Sequence, residues 1–318
     1  MLTTLGSTGL VTSRIGLGLA ALGRPGYINL GHASDLAGHT DVESMEAAAH
    51  AVLDAAYAGG VRYFDAARSY GKAEAFLATW LERLGLEAGE VTVGSKWGYT
   101  YTANWRVDAA VHEVKDLSVA TLRRQFAESR ELLGPNLCLY EIHSATLDSG
   151  VLDDPAVLDE LARLRSGGLS IGLTTTGPEQ ADTIERALEV GGFDVVQATW
   201  NLLDRTAGPS LGAAHAAGVA VIVKEALANG RLTVRGDVPE LVEAARTRGT
   251  TPDALALAAV LAQPWADVVL SGAATVTELE SNLAALALKV EPEVFERLHA
   301  IPQDPVSYWQ TRAALPWN

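Results

Sequence analysis

Short apolar runs alternate along the chain with segments in which apolar residues recur at helical spacing. Val, Ile and Leu dominate the runs and Gly or Pro bounds them, a pattern typical of strands buried in a parallel sheet. Eight such runs predict eight strands, in residues 13–22, 61–67, 91–96, 137–145, 169–175, 193–201, 219–226 and 267–273.

The segments between these runs predict amphipathic helices. One helix ends at a Gly-Gly pair, and its apolar face consists of Met45, Ala49, Val52, Leu53 and Ala56. Another begins after Ser118, a residue type that caps helix N-termini, and its apolar face consists of Leu122, Phe126 and Leu133. The alternation of strand and helix indicates an α/β protein.

Eight strand–helix units in series favour one closed barrel. No Pro- or Ser-rich linker and no change of composition divides the chain. We therefore predict a (β/α)8 TIM barrel that forms a single domain over residues 1–318. A doubly wound open sheet is the alternative, and it is disfavoured because no GxGxxG motif follows the first strand.

Two segments near the N-terminus lie outside the repeating units. TTLGSTGLVTS, residues 3–13, alternates around a Gly-containing turn, which predicts a short β-hairpin that caps the barrel floor. Residues 23–40 are long and rich in Gly. A long loop after a barrel strand belongs to the face on which barrel enzymes carry their active sites.

Composition and charge narrow the function. Of the 318 residues 48% are hydrophobic, and the net charge of −15 argues against nucleic acid and anionic membranes as partners. One cysteine, Cys138, permits no internal disulfide. The N-terminal residues lack the basic start and apolar stretch of a signal peptide, and no apolar run of about 18 residues occurs, so we expect neither a secretion signal nor a membrane span. We predict a cytoplasmic protein with a small-molecule partner and no metal site; its oligomeric state stays open.

Ionisable residues occur near the ends of several predicted strands. Because side chains alternate along a strand, the inward faces should carry Asp65, Lys96, Glu141 with His143, and Lys224. Such residues are often structural ion pairs, yet burying each charge costs several kcal/mol. Their recurrence at the same end of successive strands predicts one functional site at the carboxyl end of the barrel.

Four of these polar positions resemble the catalytic tetrad of the aldo-keto reductases. Asp65 and Tyr70 lie in FDAARSYG, Lys96 lies in GSKWG and His143 lies in YEIHSA, in the order of the family's Asp, Tyr, Lys and His. The resemblance runs from about residue 2 to residue 290. It extends to the N-terminal hairpin, to Gln197 in VVQATWN and to LANGRLT after the seventh strand.

The resemblance implies hydride transfer between a nicotinamide cofactor and a carbonyl or alcohol carbon. Tyr70 would donate the proton, and we expect the ammonium of Lys96 to lower the pKa of Tyr70. Asp65 would hold Lys96 in place, and His143 would orient the carbonyl. The substrate would be an aldehyde, a ketone or, since the chain is also similar to the sugar-dehydrogenase branch, an aldose. The C-terminal YWQTRAALPWN would cover the pocket or pack on the barrel wall.

The resemblance also implies cofactor-binding positions, several of which differ from the family pattern. Thr174 and Thr175 replace a Ser-Asn pair, and Lys224 replaces an aromatic residue that stacks on the nicotinamide. Glu278 stands where many members carry a basic residue for the 2′-phosphate of NADP, so both NADP(H) and NAD(H) stay open. The predicted cofactor positions are Thr174, Thr175, Gln197, Lys224, Leu227, Gly272, Ala274, Glu278 and Asn282.

Two other functions compete with the oxidoreductase. The altered cofactor positions would suit a non-catalytic, cofactor-sensing or regulatory barrel protein. A lyase or isomerase would instead use Lys96 or Lys224 as a Schiff-base amine. The complete tetrad favours the oxidoreductase.

Overall fold

The computed structural model describes residues 2–290, 298 and 301–318. Eight parallel strands form a closed barrel in chain order, with the last strand pairing back to the first. The predicted TIM barrel is therefore confirmed, and the open sheet is excluded. The barrel strands are β3 Ile15–Gly18, β4 Tyr63–Asp65, β5 Thr92–Trp97, β8 Leu137–Ala145, β9 Ser170–Thr175, β10 Val195–Thr199, β11 Ala220–Lys224 and β12 Val268–Ser271. The predicted extent 1–318 includes residues 1, 291–297 and 299–300, which lie outside the described residues.

Helices connect successive strands and pack around the barrel. No helix among the described residues is long and apolar enough to cross a membrane. The helices are α1 His32–Leu36, α2 Val42–Ala58, α3 Ala73–Leu84, α4 Val119–Leu133, α5 Pro155–Ser166, α6 Gln180–Val190, α7 Gly208–Ala216, α8 Pro239–Thr247, α9 Pro252–Leu261, α10 Val276–Leu283 and, near the C-terminus, α11 Pro305–Ala313.

The two helices predicted from apolar spacing form as expected. Asp41 caps α2 by accepting a hydrogen bond from the Ser44 N–H, and the five predicted residues are the buried ones of this helix. Ser118 caps α4 by accepting from the Thr121 N–H. Phe126 on α4 is only partly buried and packs at the edge of the core. The apolar stripes thus lie against the barrel, as the 3.6-residue period requires.

The predicted N-terminal hairpin is also confirmed. Strand β1 Leu2–Thr4 pairs antiparallel with β2 Val11–Ser13. Leu5 in the connecting turn is fully buried in a cluster with Val195, Ala220 and Val268, the first residues of three barrel strands. The hairpin therefore closes the barrel floor.

A second hairpin, which the sequence did not predict, lies at the carboxyl end of the barrel. After β5 the chain forms β6 Tyr99–Tyr101 and β7 Glu113–Lys115, which pair antiparallel. Apolar and charged residues around Trp105 do not alternate as they do in a strand, so the sequence gives no signal for this strand pairing. Residues of this hairpin, of segment 23–40 and of the chain after α11 line a cavity at the carboxyl end of the barrel.

Candidate active site

Asp65 and Lys96 form a buried ion pair at the centre of the carboxyl end of the barrel. Asp65 is the last residue of β4, and Lys96 lies near the end of the neighbouring strand β5. The Lys96 ammonium donates to Asp65 Oδ2 and, at 3.0 Å, to the Ala66 carbonyl oxygen. Lys96 is only 1% exposed, so water screens this pair little. The pair holds the ammonium in one position.

Asp65 has further hydrogen-bond donors that fix its carboxylate. The Tyr63 hydroxyl donates to Asp65 Oδ1 over 3.1 Å, and Gln197 Nε2 donates to the same oxygen over 3.0 Å. Gln197 Nε2 also lies 3.2 Å from Glu141 Oε2. Strand β10 thus reaches across the barrel to the ion pair, and both Asp65 oxygens are satisfied, as a buried charge requires.

Tyr70 and His143 converge on the same pair from different elements. The Lys96 Nζ lies 5.2 Å from the centre of the Tyr70 ring. The rings of Tyr70 and His143 meet edge-on with centres 5.5 Å apart. Ser69 Oγ lies 3.5 Å from His143 Nδ1. The structure therefore brings together all four residues that the sequence predicted to be catalytic.

Burial determines the protonation states of Tyr70 and His143. Burial, and then the charge of Asp65, raises the pKa of Tyr70 well above its ordinary value. The overall direction is opposite to the lowering expected from a neighbouring ammonium, because desolvation of the buried phenolate is the largest effect. Burial, and then Lys96 and Lys224, lowers the pKa of His143 well below its ordinary value. Near neutral pH the site holds a protonated phenol and a neutral imidazole.

A cavity of about 530 Å³ extends from these residues along the carboxyl ends of the strands. Lys96 lies beneath its floor, whereas Asp65, Tyr70 and His143 line it. Seven of the nine predicted cofactor positions also line it: Thr174, Gln197, Lys224, Leu227, Gly272, Glu278 and Asn282.

The other two predicted positions, Thr175 and Ala274, lie outside the cavity wall. Thr175 is fully buried on the side of β9 opposite Thr174, and its Oγ1 has no hydrogen-bond partner among the described residues. Thr174 Oγ1 accepts from the Ser144 N–H over 2.7 Å and retains its own proton to donate. The backbone N–H of Ala274 donates a hydrogen bond to Glu278 Oε2 over 2.9 Å, so Ala274 contacts a residue that lines the cavity.

Lys224 and Glu225 connect the end of β11 to α11. The Lys224 ammonium lies 3.2 Å from Thr199 Oγ1 and 4.0 Å from Glu225 Oε1. Arg312 binds Glu225 with two nitrogens, Nε lying 2.9 Å from Oε2. Burial lowers the pKa of Lys224 to about 8 although Glu225 opposes that shift. Burial disfavours the Glu225 carboxylate, but Arg312 and Lys224 outweigh it and lower the pKa of Glu225 to about 2.

Asp35, Arg235 and Glu278 form an ionic cluster at the end of the cavity away from the tetrad, and of these the sequence predicted only Glu278. Glu278 at the start of α10 accepts a hydrogen bond from the Ala274 N–H, and Thr275 caps the helix by accepting from the Glu278 N–H over 3.2 Å. The Arg235 guanidinium lies 3.0 Å from Glu278 Oε1 and 2.7 Å from Asp35 Oδ2. Asp35 and Arg235 lie about 200 residues apart in a sequence without a shared motif, so only the fold identifies them.

Arg24 was likewise missed, and it lies beside Tyr70. Its guanidinium carbon lies 5.3 Å from the Tyr70 ring centre and 4.7 Å from that of Trp317. Its Nη1 donates to Glu113 over 3.0 Å and to the Ser69 carbonyl oxygen over 3.0 Å. Arg312, Leu315 and Trp317 line the cavity, so the end of the C-terminal segment covers it. The start of the segment, Tyr308 and Trp309, packs into a buried cluster with α8 and α9.

Comparisons with known proteins agree with this geometry. The sequence matches the model of the aldo/keto reductase family over residues 14–303. It is 25% identical to the uncharacterized oxidoreductase YrpG of Bacillus subtilis over 99% of each chain. It is 27% identical to the NADH-specific methylglyoxal reductase of Escherichia coli, over 90% of this chain and 93% of that one.

The fold has solved counterparts as well. The structure superposes on aldo-keto reductase AKR11C1 from Bacillus halodurans in its holo form with a TM-score of 0.74, at 20% identity, covering 95% of this chain and 96% of that one. The matched sequence model spans nearly the whole chain and includes all four tetrad residues. The chain therefore belongs to the aldo/keto reductase family and is an oxidoreductase of that family.

Proposed function

We propose that the protein reduces a small aldehyde or ketone with a nicotinamide cofactor, with Tyr70 as the proton donor. The observation that carries this proposal is the buried Asp65–Lys96 pair beneath a protonated Tyr70, with a neutral His143 beside it. A developing alkoxide needs both a proton and hydrogen-bond donors, and these residues supply them within one cavity.

The proposed roles follow from the protonation states. When bound, the cofactor supplies a hydride to the carbonyl carbon. Tyr70 transfers its phenolic proton to the carbonyl oxygen, while the His143 N–H donates a hydrogen bond that orients it. Lys96 stabilises the phenolate that Tyr70 leaves behind, and Asp65 keeps that ammonium in place. The neutral alcohol then leaves, and Tyr70 regains a proton from solvent.

The donor set of the cavity fits a dinucleotide. Thr174 and Gln197 offer polar groups for a carboxamide close to the tetrad. At the other end Gly272 precedes α10, and a Cβ at Gly272 would meet no atom within 4 Å, so the backbone there is open to a phosphate. The Asn282 amide, 2.8 Å from Ser271 Oγ, completes that end of the wall.

We propose NAD(H) rather than NADP(H) as the cofactor. Arg235 is the cation of the ionic cluster, and two carboxylates, Asp35 and Glu278, already bind it. Together the three side chains carry a net negative charge, which would repel a 2′-phosphate. The Escherichia coli relative, named NADH-specific, supports this choice.

The cofactor prediction is tested by binding. We expect the protein to bind NADH at least about tenfold more tightly than NADPH, equivalent to roughly 1.4 kcal/mol. The double variant Asp35→Asn/Glu278→Gln should reduce this preference for NADH, because it frees Arg235 to bind the 2′-phosphate of NADPH. Glu280→Gln, an exposed position on the same helix, is the matched control and should leave the ratio unchanged. Tighter NADPH binding by the unaltered protein would contradict the proposal.

The reaction itself is tested with purified protein, NADH and a panel of small carbonyls that begins with methylglyoxal, the compound named for the Escherichia coli relative. We expect cofactor oxidation that depends on the carbonyl. Borohydride trapping of a carbonyl substrate on the protein would instead support a Schiff-base enzyme. Lys96 is a poor amine for that chemistry because its ammonium is paired with Asp65.

A further inference from the structure

Glu141 is a buried carboxyl group that the proposed mechanism does not use. It lies on β8 directly beside Lys96 of β5 in the strand register, and it is 0% exposed. Its Oε2 accepts from Gln197, and its Oε1 has no hydrogen-bond partner among the described residues. A fully buried carboxylate with one hydrogen-bond donor is poorly stabilised, which favours the neutral, protonated form of this group.

The barrel makes room for this side chain. A Cβ at Gly172, the residue paired with Glu141 on the neighbouring strand β9, would lie 3.0 Å from Glu141 Cγ and 2.9 Å from the Val195 carbonyl oxygen. Any larger residue at 172 would therefore compress Glu141. Gly172 therefore leaves the space that the Glu141 side chain occupies, and the barrel accommodates Glu141 without a steric clash.

The charges around Glu141 favour its neutral form. Lys96 is already neutralised by Asp65, and Gln197 donates to the carboxylates of both Asp65 and Glu141. A negative charge on Glu141 would be stabilised by Lys96 and Lys224 but opposed by the carboxylate of Asp65. Burial, only partly offset by Lys96, raises the pKa of Glu141 to about 8. The titratable groups that face Glu141 are Tyr63, Asp65, Tyr70, Lys96 and Lys224.

We propose that Glu141 is a positioning residue whose proton sets the charge of the tetrad. With Glu141 neutral, the Asp65–Lys96 pair has no net charge, and the ammonium can stabilise the phenolate of Tyr70. When Glu141 loses its proton, the added negative charge opposes that phenolate, and proton donation by Tyr70 slows. This inference rests on the proposed reductase function for its effect on rate, but not for the titration itself.

Glu141→Gln is the variant that tests this role, because it keeps the shape and accepts the same hydrogen bond from Gln197. In the unaltered protein, we expect kcat for carbonyl reduction to fall on the order of tenfold from about pH 7 to about pH 9.5. In Glu141→Gln that decrease should be absent or displaced to higher pH. Lys224→Met should retain the decrease whatever its overall rate, which separates Glu141 from the other group that titrates in this range.

A readout independent of turnover follows from stability. The folded protein holds a proton on Glu141 that the unfolded chain releases, so Glu141 makes stability fall as the pH rises from about 4.5 to about 8. Glu141→Gln removes this pH-dependent loss of stability. The melting temperature of the variant minus that of the unaltered protein should therefore increase as the pH rises across this range. The infrared band of a buried protonated carboxyl should also disappear in the variant.

The outcomes are distinguishable. Equal pH dependence of melting in the two proteins, or no carboxyl band that depends on Glu141, would overturn the proposal. An unchanged alkaline decrease of kcat in Glu141→Gln would overturn the role in the reaction even if the titration were seen. Failure of the protein to reduce any carbonyl would count against the proposed function, while melting and infrared spectra would still decide whether Glu141 holds the proton.

Discussion

Replacement of Tyr70 by Phe is expected to lower kcat for carbonyl reduction by about 10²–10⁴-fold, the range for loss of a general acid. The variant removes one hydroxyl group and leaves the ring contacts with Arg24 and His143 in place. Because burial keeps the Tyr70 phenol protonated, the lost group is in the donor form at neutral pH. Cofactor affinity, followed by quenching of tryptophan fluorescence, should change little.

Tyr99→Phe is the matched control for this experiment. The Tyr99 ring packs edge-on against His143 with centres 5.0 Å apart, as near as Tyr70, but it does not line the cavity. We expect its kcat to stay within about threefold of the unaltered protein, as for a substitution that leaves the chemistry alone. A large loss in Tyr99→Phe together with normal turnover in Tyr70→Phe would show that the donor is assigned to the wrong phenol.

Replacement of Lys96 by Met is expected to have the second large effect, on both stability and turnover. The substitution keeps the length of the side chain but leaves Asp65 as a buried carboxylate whose remaining side-chain donors, among the described residues, are Tyr63 and Gln197. Breaking a buried ion pair on one side costs roughly 3–5 kcal/mol of the free energy of unfolding. Turnover should fall as well, because the phenolate of Tyr70 loses its neighbouring cation. Urea unfolding and steady-state assays measure the two effects.

The double variant Asp65→Asn/Lys96→Met separates the two contributions. It removes both charges, so most of the lost stability should return, because the cost of the single variant lies in the unpaired carboxylate. Turnover should stay low because Lys96 is still absent. Suppose instead that Asp65→Asn lowers the free energy of unfolding by the same amount in Lys96→Met as in the unaltered protein. The two residues would then be energetically independent, and the ion pair would not account for the loss of stability in Lys96→Met.

Local patterns were enough to predict the barrel and the polar residues at its strand ends, whereas the predicted tetrad came from the resemblance to the aldo-keto reductases. Strand and helix positions follow from the periods with which apolar residues repeat, and these periods depend on nearby residues alone. The hairpin at the floor and the capping of α4 by Ser118 are local in the same way. Parallel strands in a closed barrel end on one face, so Asp65, Lys96 and His143 had to converge once the strands were assigned. The second hairpin, β6–β7, lacks such a pattern and was missed.

Only the tertiary structure decided how the site is charged. The sequence predicts a lysine near Tyr70 but not the depth of burial, and burial reverses the expected direction of the Tyr70 pKa. The bridge of Gln197 to Asp65 spans 132 residues, and the contact of Arg235 with Asp35 spans 200. Desolvation and Coulomb energies depend on distance and surrounding volume, which no residue pattern along the chain contains. The sequence by itself therefore determined that Asp65, Lys96 and His143 lie at one end of the barrel, whereas the fold determined their distant partners and which protons they hold.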